Sequence, residues 1–216
     1  ICKELYVSTA TIVRFCQKVG FKGFNELKFQ LKSELNLSNK NMNAWDIIPH
    51  RTSILKDFIE NVDDQTIEEI CNLIKTHKSI YIYGRNMSSL PAKYLYAMLN
   101  TMDIPCIFID WIDFLSALSK SFPENAILFI FTNYGEKEMY ASIVKQCHER
   151  KIQIIWISSR ELDSSLLSKN DIYIPTHEPK LEAPPLRTKL TSFLLVQLIV
   201  EYLRHKITES PSNPAK

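Results

Sequence analysis

Residues 5–24 read LYVSTATIVRFCQKVGFKGF, and this stretch decides how the start of the chain folds. The spacing predicts a helix from Thr9 to Val19. Ser8 stands just ahead of it as an N-cap, since its hydroxyl can accept a first-turn N–H that has no partner within the helix. Gly20 follows the last apolar residue, where a left-handed glycine commonly closes a helix. At about 100° per residue, Ile12, Phe15, Cys16 and Val19 share one face and are expected to pack into a small core. Ala10, Thr11, Arg14, Gln17 and Lys18 fall on the other face.

That outward set, with Ser8 and Thr9 at its start, places short polar groups near the helix N-terminus and then a guanidinium, an amide and an ammonium. These are the groups that read base edges and hold phosphates when a helix enters the DNA major groove. Periodicity alone fits any amphipathic surface helix equally well. The full string is more specific. Ser8, Thr11, Arg14 and Phe15, followed by Gly20, Phe21, Gly23 and Phe24, resemble the helix-turn-helix domain of the RpiR family of bacterial transcriptional regulators at each of those positions. The resemblance implies operator DNA as a partner, with Ser8, Thr9, Ala10, Thr11, Arg14, Gln17 and Lys18 at the DNA interface.

Working outward, Ile1 to Leu5 (ICKEL) reads as the tail of a helix already under way, so an upstream helical segment is expected. Phe24 to Leu35 reads as a third amphipathic helix, with Leu27, Phe29, Leu31 and Leu35 as its apolar positions. The polar, aperiodic run Asn36 to Ala44 reads as a linker. This gives a small all-α domain at residues 1–36, a linker at 37–45, a second domain at 46–207 and a disordered tail at 208–216. Helical periodicity resumes over Ile47–Val62 and Thr66–Ile74, with Pro49 expected to break or start the first of these.

Charge divides along the same line. Residues 1–36 hold six Lys or Arg against three Glu, whereas the rest of the chain holds twenty basic and twenty-one acidic residues. The positive potential therefore sits with the helix-turn-helix, as phosphate binding requires. The five cysteines are scattered, with no C-x-x-C pair, so reduced thiols in a cytoplasmic protein are expected rather than a disulfide scaffold or a zinc site. No stretch approaches the ~20 apolar residues of a membrane span, no signal peptide is visible, and no cofactor is indicated.

From Ser79 the pattern changes. Short apolar runs at Ile80–Tyr83, Cys106–Ile109, Ile127–Phe131, Ile152–Ile157 and Ile172–Ile174 alternate with helical segments at Ser88–Met102, Trp111–Ser119, Glu136–Glu149 and Glu161–Leu167. Strands buried on both faces and separated by helices make a doubly wound, five-stranded parallel sheet, an α/β fold. Leu186–His205 closes the domain as a long helix.

Ligands of such sheets sit beyond the carboxyl ends of the strands. Two loops fall there, Gly84-Arg85-Asn86-Met87-Ser88-Ser89 and Thr132-Asn133-Tyr134-Gly135-Glu136-Lys137. Each offers a glycine, hydroxyls and backbone N–H groups at a helix start, which fits an anion cradle and equally fits a purely structural turn. The chain has only four glycines, and these loops hold two of them.

The loops resemble those of the SIS (sugar isomerase) domain, which follows the helix-turn-helix in the RpiR family and binds a phosphorylated sugar. The family's first loop runs Gly-x-Gly-x-Ser-Ser. Gly84, Ser88 and Ser89 match it, and Asn86 stands where the second glycine belongs, a residue that tolerates the left-handed conformation. The second loop runs Ser-x-Ser-Gly-x-Thr. Thr132 and Gly135 fit, but Tyr134 replaces the central Ser and Lys137 the Thr. Two hydroxyls are lost; Lys137 is a candidate point charge for phosphate, and Tyr134 is a ring that would fill the cradle. The resemblance implies a ligand site at Gly84, Asn86, Ser88, Ser89, Thr132, Asn133, Gly135 and Lys137. Leu186-Arg187, Ser192 and Gln197 are similar to the family's closing helix.

An isomerase on this fold needs a general base. Glu182, His177 and Glu136 are the candidates near the ligand end, and their spacing shows no paired acid and base. The expectation is therefore a non-enzymatic cytoplasmic regulator that binds operator DNA and a sugar phosphate. It is expected to form a homodimer or higher homo-oligomer, with the Leu186–Leu203 helix either contributing to the two-fold interface or merely covering one face of the sheet. The alternatives are a regulator whose ligand-free SIS domain only dimerises, and a phosphosugar isomerase.

Overall fold

The computed structural model describes residues 8–18, 21, 23–24, 27–28, 31, 44–178 and 188–209. The chain forms two compact units, residues 1–54 and 55–216.

In the first unit, helix α1 spans Thr9–Lys18. Its start is capped as expected: the Thr11 N–H donates to Ser8 Oγ at 3.1 Å. Its end is closed by a bond from the Phe21 N–H to the Cys16 carbonyl at 2.8 Å, the six-residue closure of a Schellman end. Val19 and Gly20 lie outside the described residues. Cys16 is fully buried, and Ile12 and Val13 are half-buried. Phe15, expected in the core, is instead 57% exposed. The buried arc is centred between Ile12, Cys16 and Val13, which leaves Phe15 roughly 105° away from its middle at about 100° per residue.

Beyond α1, Phe24, Leu27, Lys28 and Leu31 are helical, and the rest of the expected Phe24–Leu35 helix lies outside the described residues. So do residues 1–7, the linker at 37–43 and residues 210–216, whereas Thr208 and Glu209, expected in the disordered tail, are the last residues of the closing helix. Helix α2 (Ala44–Asn61) contains the boundary between the two units. It begins at the residues read as the end of the linker, and Pro49 sits in its second turn rather than breaking or starting it. A proline there gives up one bond to the preceding turn, and the helix continues through it to Asn61.

In the second unit, α3 (Asp64–Thr76) is capped by Asp63, whose carboxylate accepts from the Gln65 N–H at 3.2 Å. The sheet then forms from β1 (Ile80–Gly84), β2 (Ile107–Ile109), β3 (Ile127–Thr132), β4 (Gln153–Ser158) and β5 (Ile172–Pro175). All neighbours are parallel, in the order β2-β1-β3-β4-β5. Between strands run α4 (Ser89–Asn100), α5 (Ile112–Ser119) and α6 (Lys137–Glu149), and α7 (Leu190–Glu209) closes the chain. The segment expected as a short helix over Glu161–Leu167 is only a 3-10 turn at Ser164–Leu166. Asp163 accepts from the Ser165 N–H and hydroxyl there, and such side-chain bonds to nearby backbone compete with helix propagation.

The period-two alternation of the strands builds two cores. Ile80, Ile82, Phe129, Phe131, Ile155 and Ile157 face one side and pack with residues of α3, α4 and α7. Tyr83, Leu128, Ile130, Ile154 and Trp156 face the other and pack with residues of α5 and α6. Burying each such apolar side chain is worth about 1.5–3 kcal/mol, so the helices are held on both faces of a sheet with little polar surface to give up. Helix α7 contributes Leu195, Val196, Ile199, Val200 and Leu203 to the first core. Leu186 and Arg187, expected at its start, lie outside the described residues.

Candidate functional site

In such a sheet the chain turns one way from β1 to β2 and the other way to β3. The two loops that leave β1 and β3 therefore part, and the crevice between them is where doubly wound sheets take ligands. An open cavity of about 180 Å³ lies there, lined by Arg85, Asn86 and Ser88 from the first loop and by Phe131, Thr132, Asn133, Tyr134, Glu136 and Met139 from the second.

The first loop is shaped by its glycine and its asparagine. A Cβ on Gly84 would come within 2.5 Å of the Ser88 carbonyl oxygen and 2.8 Å of the Ala92 Cβ, so the loop folds back against the strand end where only glycine fits. Asn86 adopts φ +52°, the left-handed conformation that lets it stand in for a glycine. A 3-10 turn at Asn86–Ser88 follows, then α4. Ser88 is buried at the cavity wall. Ser89 does not line the cavity; its hydroxyl donates to the Asn86 carbonyl at 2.6 Å.

In the second loop, the Thr132 hydroxyl accepts from the Gly135 N–H at 3.3 Å, closing a tight turn with Gly135 at φ +54°. Thr132 and Asn133 line the cavity. Tyr134 does not fill it: the ring is 41% exposed at the rim, with the Arg160 guanidinium 4.9 Å from its centroid. Lys137 is not among the lining residues. Its ammonium lies 3.8 Å from Asp163, and both side chains are about half exposed. Asp163 is held below the usual carboxylate range, first by the bonds from Ser165 and then by Lys137.

Three features escape the sequence patterns. Arg85 follows the glycine that ends β1 and brings an exposed guanidinium to the cavity wall. Beside the cavity, Tyr83 and Tyr140 meet edge to face with centroids 6.2 Å apart, and burial pushes both phenols up. Lys189, just ahead of α7, is buried, and its ammonium donates to Asn133 Oδ1. A residue directly after a strand-ending glycine must flank the crevice, so Arg85 had a positional signal; Lys189 had none.

Of the three candidate bases, Glu136 lines the cavity and is exposed, His177 is exposed at φ +46°, and Glu182 lies outside the described residues. Among the described residues of this region Glu178 is a buried carboxylate, and it accepts from Thr188 and Ser192. Among the described residues no group of three or more His, Cys, Asp or Glu could hold a metal ion, and no helix is long and apolar enough to cross a membrane.

Ser8, just ahead of α1, and Thr9, Ala10, Thr11, Arg14, Gln17 and Lys18 on it are all exposed. Arg14, Lys18 and Thr11 lie opposite the buried arc, as a DNA-facing surface requires.

Residues 1–38 match the helix-turn-helix domain of the rpiR family, and residues 73–202 match the SIS domain. An uncharacterized HTH-type transcriptional regulator of Clostridium perfringens is 26% identical over all of this chain and 83% of its own length. Another, of Haemophilus influenzae, is 32% identical over 43% of this chain and 38% of its own. Among solved structures, the Vibrio vulnificus NanR protein complexed with ManNAc-6P matches with a TM-score of 0.67 at 19% identity, over 96% of this chain and 78% of that one. A phosphoheptose isomerase from Francisella tularensis matches with a TM-score of 0.56 at 16% identity, over 76% of this chain and 100% of that one. At those identities the likeness is one of fold.

Proposed function

Since the chain belongs to the SIS-domain family and carries an rpiR-family helix-turn-helix ahead of that domain, making it a transcriptional regulator, we propose that its SIS domain senses a phosphorylated sugar and thereby tunes DNA binding. The single observation that carries this reading is the cavity at the β1/β3 crevice. It combines a guanidinium (Arg85), hydroxyls (Ser88, Thr132) and an amide (Asn133) around an open space. Arginine meets phosphate with two parallel N–H bonds, and the helix starts that follow each loop favour an anion. The structural neighbour with ManNAc-6P bound supports the same ligand class.

Sensing is favoured over isomerisation. Among the described lining residues Glu136 is the one carboxylate, it is exposed, and no imidazole stands with it. The regulator acts in the cytoplasm, with residues 1–36 reading DNA and 46–207 holding the effector. It works as a homodimer, because helix-turn-helix proteins read paired half-sites. At the β2 edge of the sheet, Ile107, Trp111 and Phe114 are exposed, an apolar surface suited to self-association.

The test is thermal melting of the full chain with sugar phosphates and with the same sugars unphosphorylated. A true effector at a hundred times its dissociation constant stabilises by about 2.7 kcal/mol. No shift with any sugar phosphate, or an equal shift with the bare sugars, would sink the proposal.

A further inference from the structure

Asn133 lines the cavity, and the orientation of its side-chain amide is set by two donors. Its Oδ1 accepts from two groups: the Lys189 ammonium and the Ser159 hydroxyl at 3.2 Å. Lys189 is 6% exposed and Ser159 is 4% exposed. An ammonium has donors and no acceptor, so the atom facing Lys189 must be the amide oxygen. The Nδ2 group therefore occupies the other position, and among the described residues nothing hydrogen-bonds it.

Lys189 sits where a cation serves the fold poorly. It immediately precedes α7, and the N-terminus of a helix favours negative charge. That role is already filled by Glu178, whose carboxylate accepts the Ser192 N–H at 2.7 Å. Burying an ammonium is also costly unless it is well partnered. The Asn133 amide oxygen is one of the partners that hold this ammonium in place.

We propose that Lys189 and Ser159 are positioning residues that lock the Asn133 amide with its two N–H donors toward the cavity, so that Asn133 reads an acceptor oxygen of the bound sugar phosphate. The ligand half of this inference rests on the sensing role proposed above; the lock itself does not. The contact also ties the effector loop after β3 to the start of α7, so occupancy of the cavity is felt at the closing helix.

The lock is tested without ligand, in the full chain. Asn133→Asp keeps an acceptor for both donors and places a carboxylate opposite Lys189. It should leave the melting temperature equal or higher with Lys189 present, and lower it in a Lys189→Met background. The same change in both backgrounds overturns the lock. The reading is tested by calorimetric titration with N-acetylmannosamine 6-phosphate, glucosamine 6-phosphate and fructose 6-phosphate. Whichever probe binds the wild type should bind Asn133→Asp at least tenfold more weakly, and Lys189→Met about tenfold more weakly. The Asn133 side-chain amide protons should shift on binding in the wild type and not in Lys189→Met. Unchanged affinity in both variants, or an amide that does not respond, overturns the role of Asn133. If no probe binds the wild type while the melting cycle holds, the sugar-phosphate reading fails and the lock stands.

Discussion

Glu178 and Ser192 are joined twice: the carboxylate accepts the Ser192 backbone N–H at 2.7 Å and its hydroxyl at 2.9 Å. Thr188 adds a third bond at 3.0 Å. This carboxylate, fully buried just beyond β5, thereby fixes where α7 starts. Hydrogen bonds to a charged group are worth about 1.5–3 kcal/mol each when a partner is removed. Glu178→Ala should therefore destabilise the chain by about 3 kcal/mol or more, and Glu178→Gln by less, because the amide keeps one acceptor oxygen. Denaturant unfolding of the two variants checks the order. Equal stability of wild type and Glu178→Ala would contradict the assigned role.

On the exposed face of α1, Arg14→Ala should weaken operator binding by about 1–3 kcal/mol, the scale of a base-contacting arginine. Lys18→Ala should instead weaken binding to all sequences alike and flatten the dependence on salt, as loss of a phosphate contact does. Gel-shift titrations at two or more salt concentrations separate the two. An unchanged affinity in Arg14→Ala would remove this face from the DNA interface. Phe15, exposed beside it, belongs to the same test: Phe15→Ala should leave the fold intact.

The strands were legible because β3 (ILFIFT) and β4 (QIIWIS) are apolar runs too long for a surface segment and too short for a helix. The glycine loops were legible because a glycine-poor chain keeps glycine where a side chain cannot fit, as at Gly84. What could not be read was set by distance along the chain. Asn133 and Lys189 are 56 residues apart, and no local pattern announces their contact. Lys137 resembles a phosphate ligand by position, yet its neighbour Asp163 arrives from another loop and draws it aside. The exposure of Phe15 was missed because periodicity gives a face but not the exact centre of the buried arc.

The two loop glycines should respond differently to alanine. At Gly135 the new Cβ would meet Leu162 Cδ2 at 2.0 Å, the free end of a side chain that can swing away. What remains is the left-handed backbone, about 1–2 kcal/mol for an L-residue. At Gly84 the obstacles are the Ser88 carbonyl and the Ala92 Cβ, which cannot move without the loop. Gly84→Ala should cost about 3 kcal/mol, the upper end of overpacking, and should deform the cavity as well. Melting curves showing Gly135→Ala as the more damaging change would refute this account.

Alkaline stability should carry the mark of two buried thiols. Burial pushes Cys71 and Cys147 from 9.0 up to about 12. The folded state thus keeps protons that the unfolded state releases, and stability falls as pH rises where the unfolded chain binds fewer protons. The contribution is intact below pH 9.0 and is lost progressively from there toward about 12. Cys71→Ala with Cys147→Ala lowers stability overall by leaving space in the core, but its decline between pH 9 and pH 11.5 should be shallower than that of the wild type. Parallel declines would show that the thiols do not titrate in this way.

The cavity makes a sharper division between Lys137 and Arg85. Lys137 stands outside the lining, paired with Asp163 and about half exposed. A solvent-exposed pair of this kind contributes little, typically under about 1 kcal/mol, so Lys137→Ala should leave both stability and the response to a sugar phosphate nearly unchanged. Arg85 lines the cavity and can meet a phosphate with two parallel N–H bonds. Arg85→Ala should cost the folded chain almost nothing, because the side chain is exposed, and should still abolish most of the ligand-induced rise in melting temperature. Arg85→Lys keeps the charge but not the planar fork, so it should recover only part of the response. Ser88→Ala, at the buried end of the same loop, should weaken binding by about 1–2 kcal/mol if its hydroxyl meets the ligand. If Lys137→Ala loses the response while Arg85→Ala keeps it, the ligand sits on the Lys137 side of the second loop and the cavity between β1 and β3 is not its site.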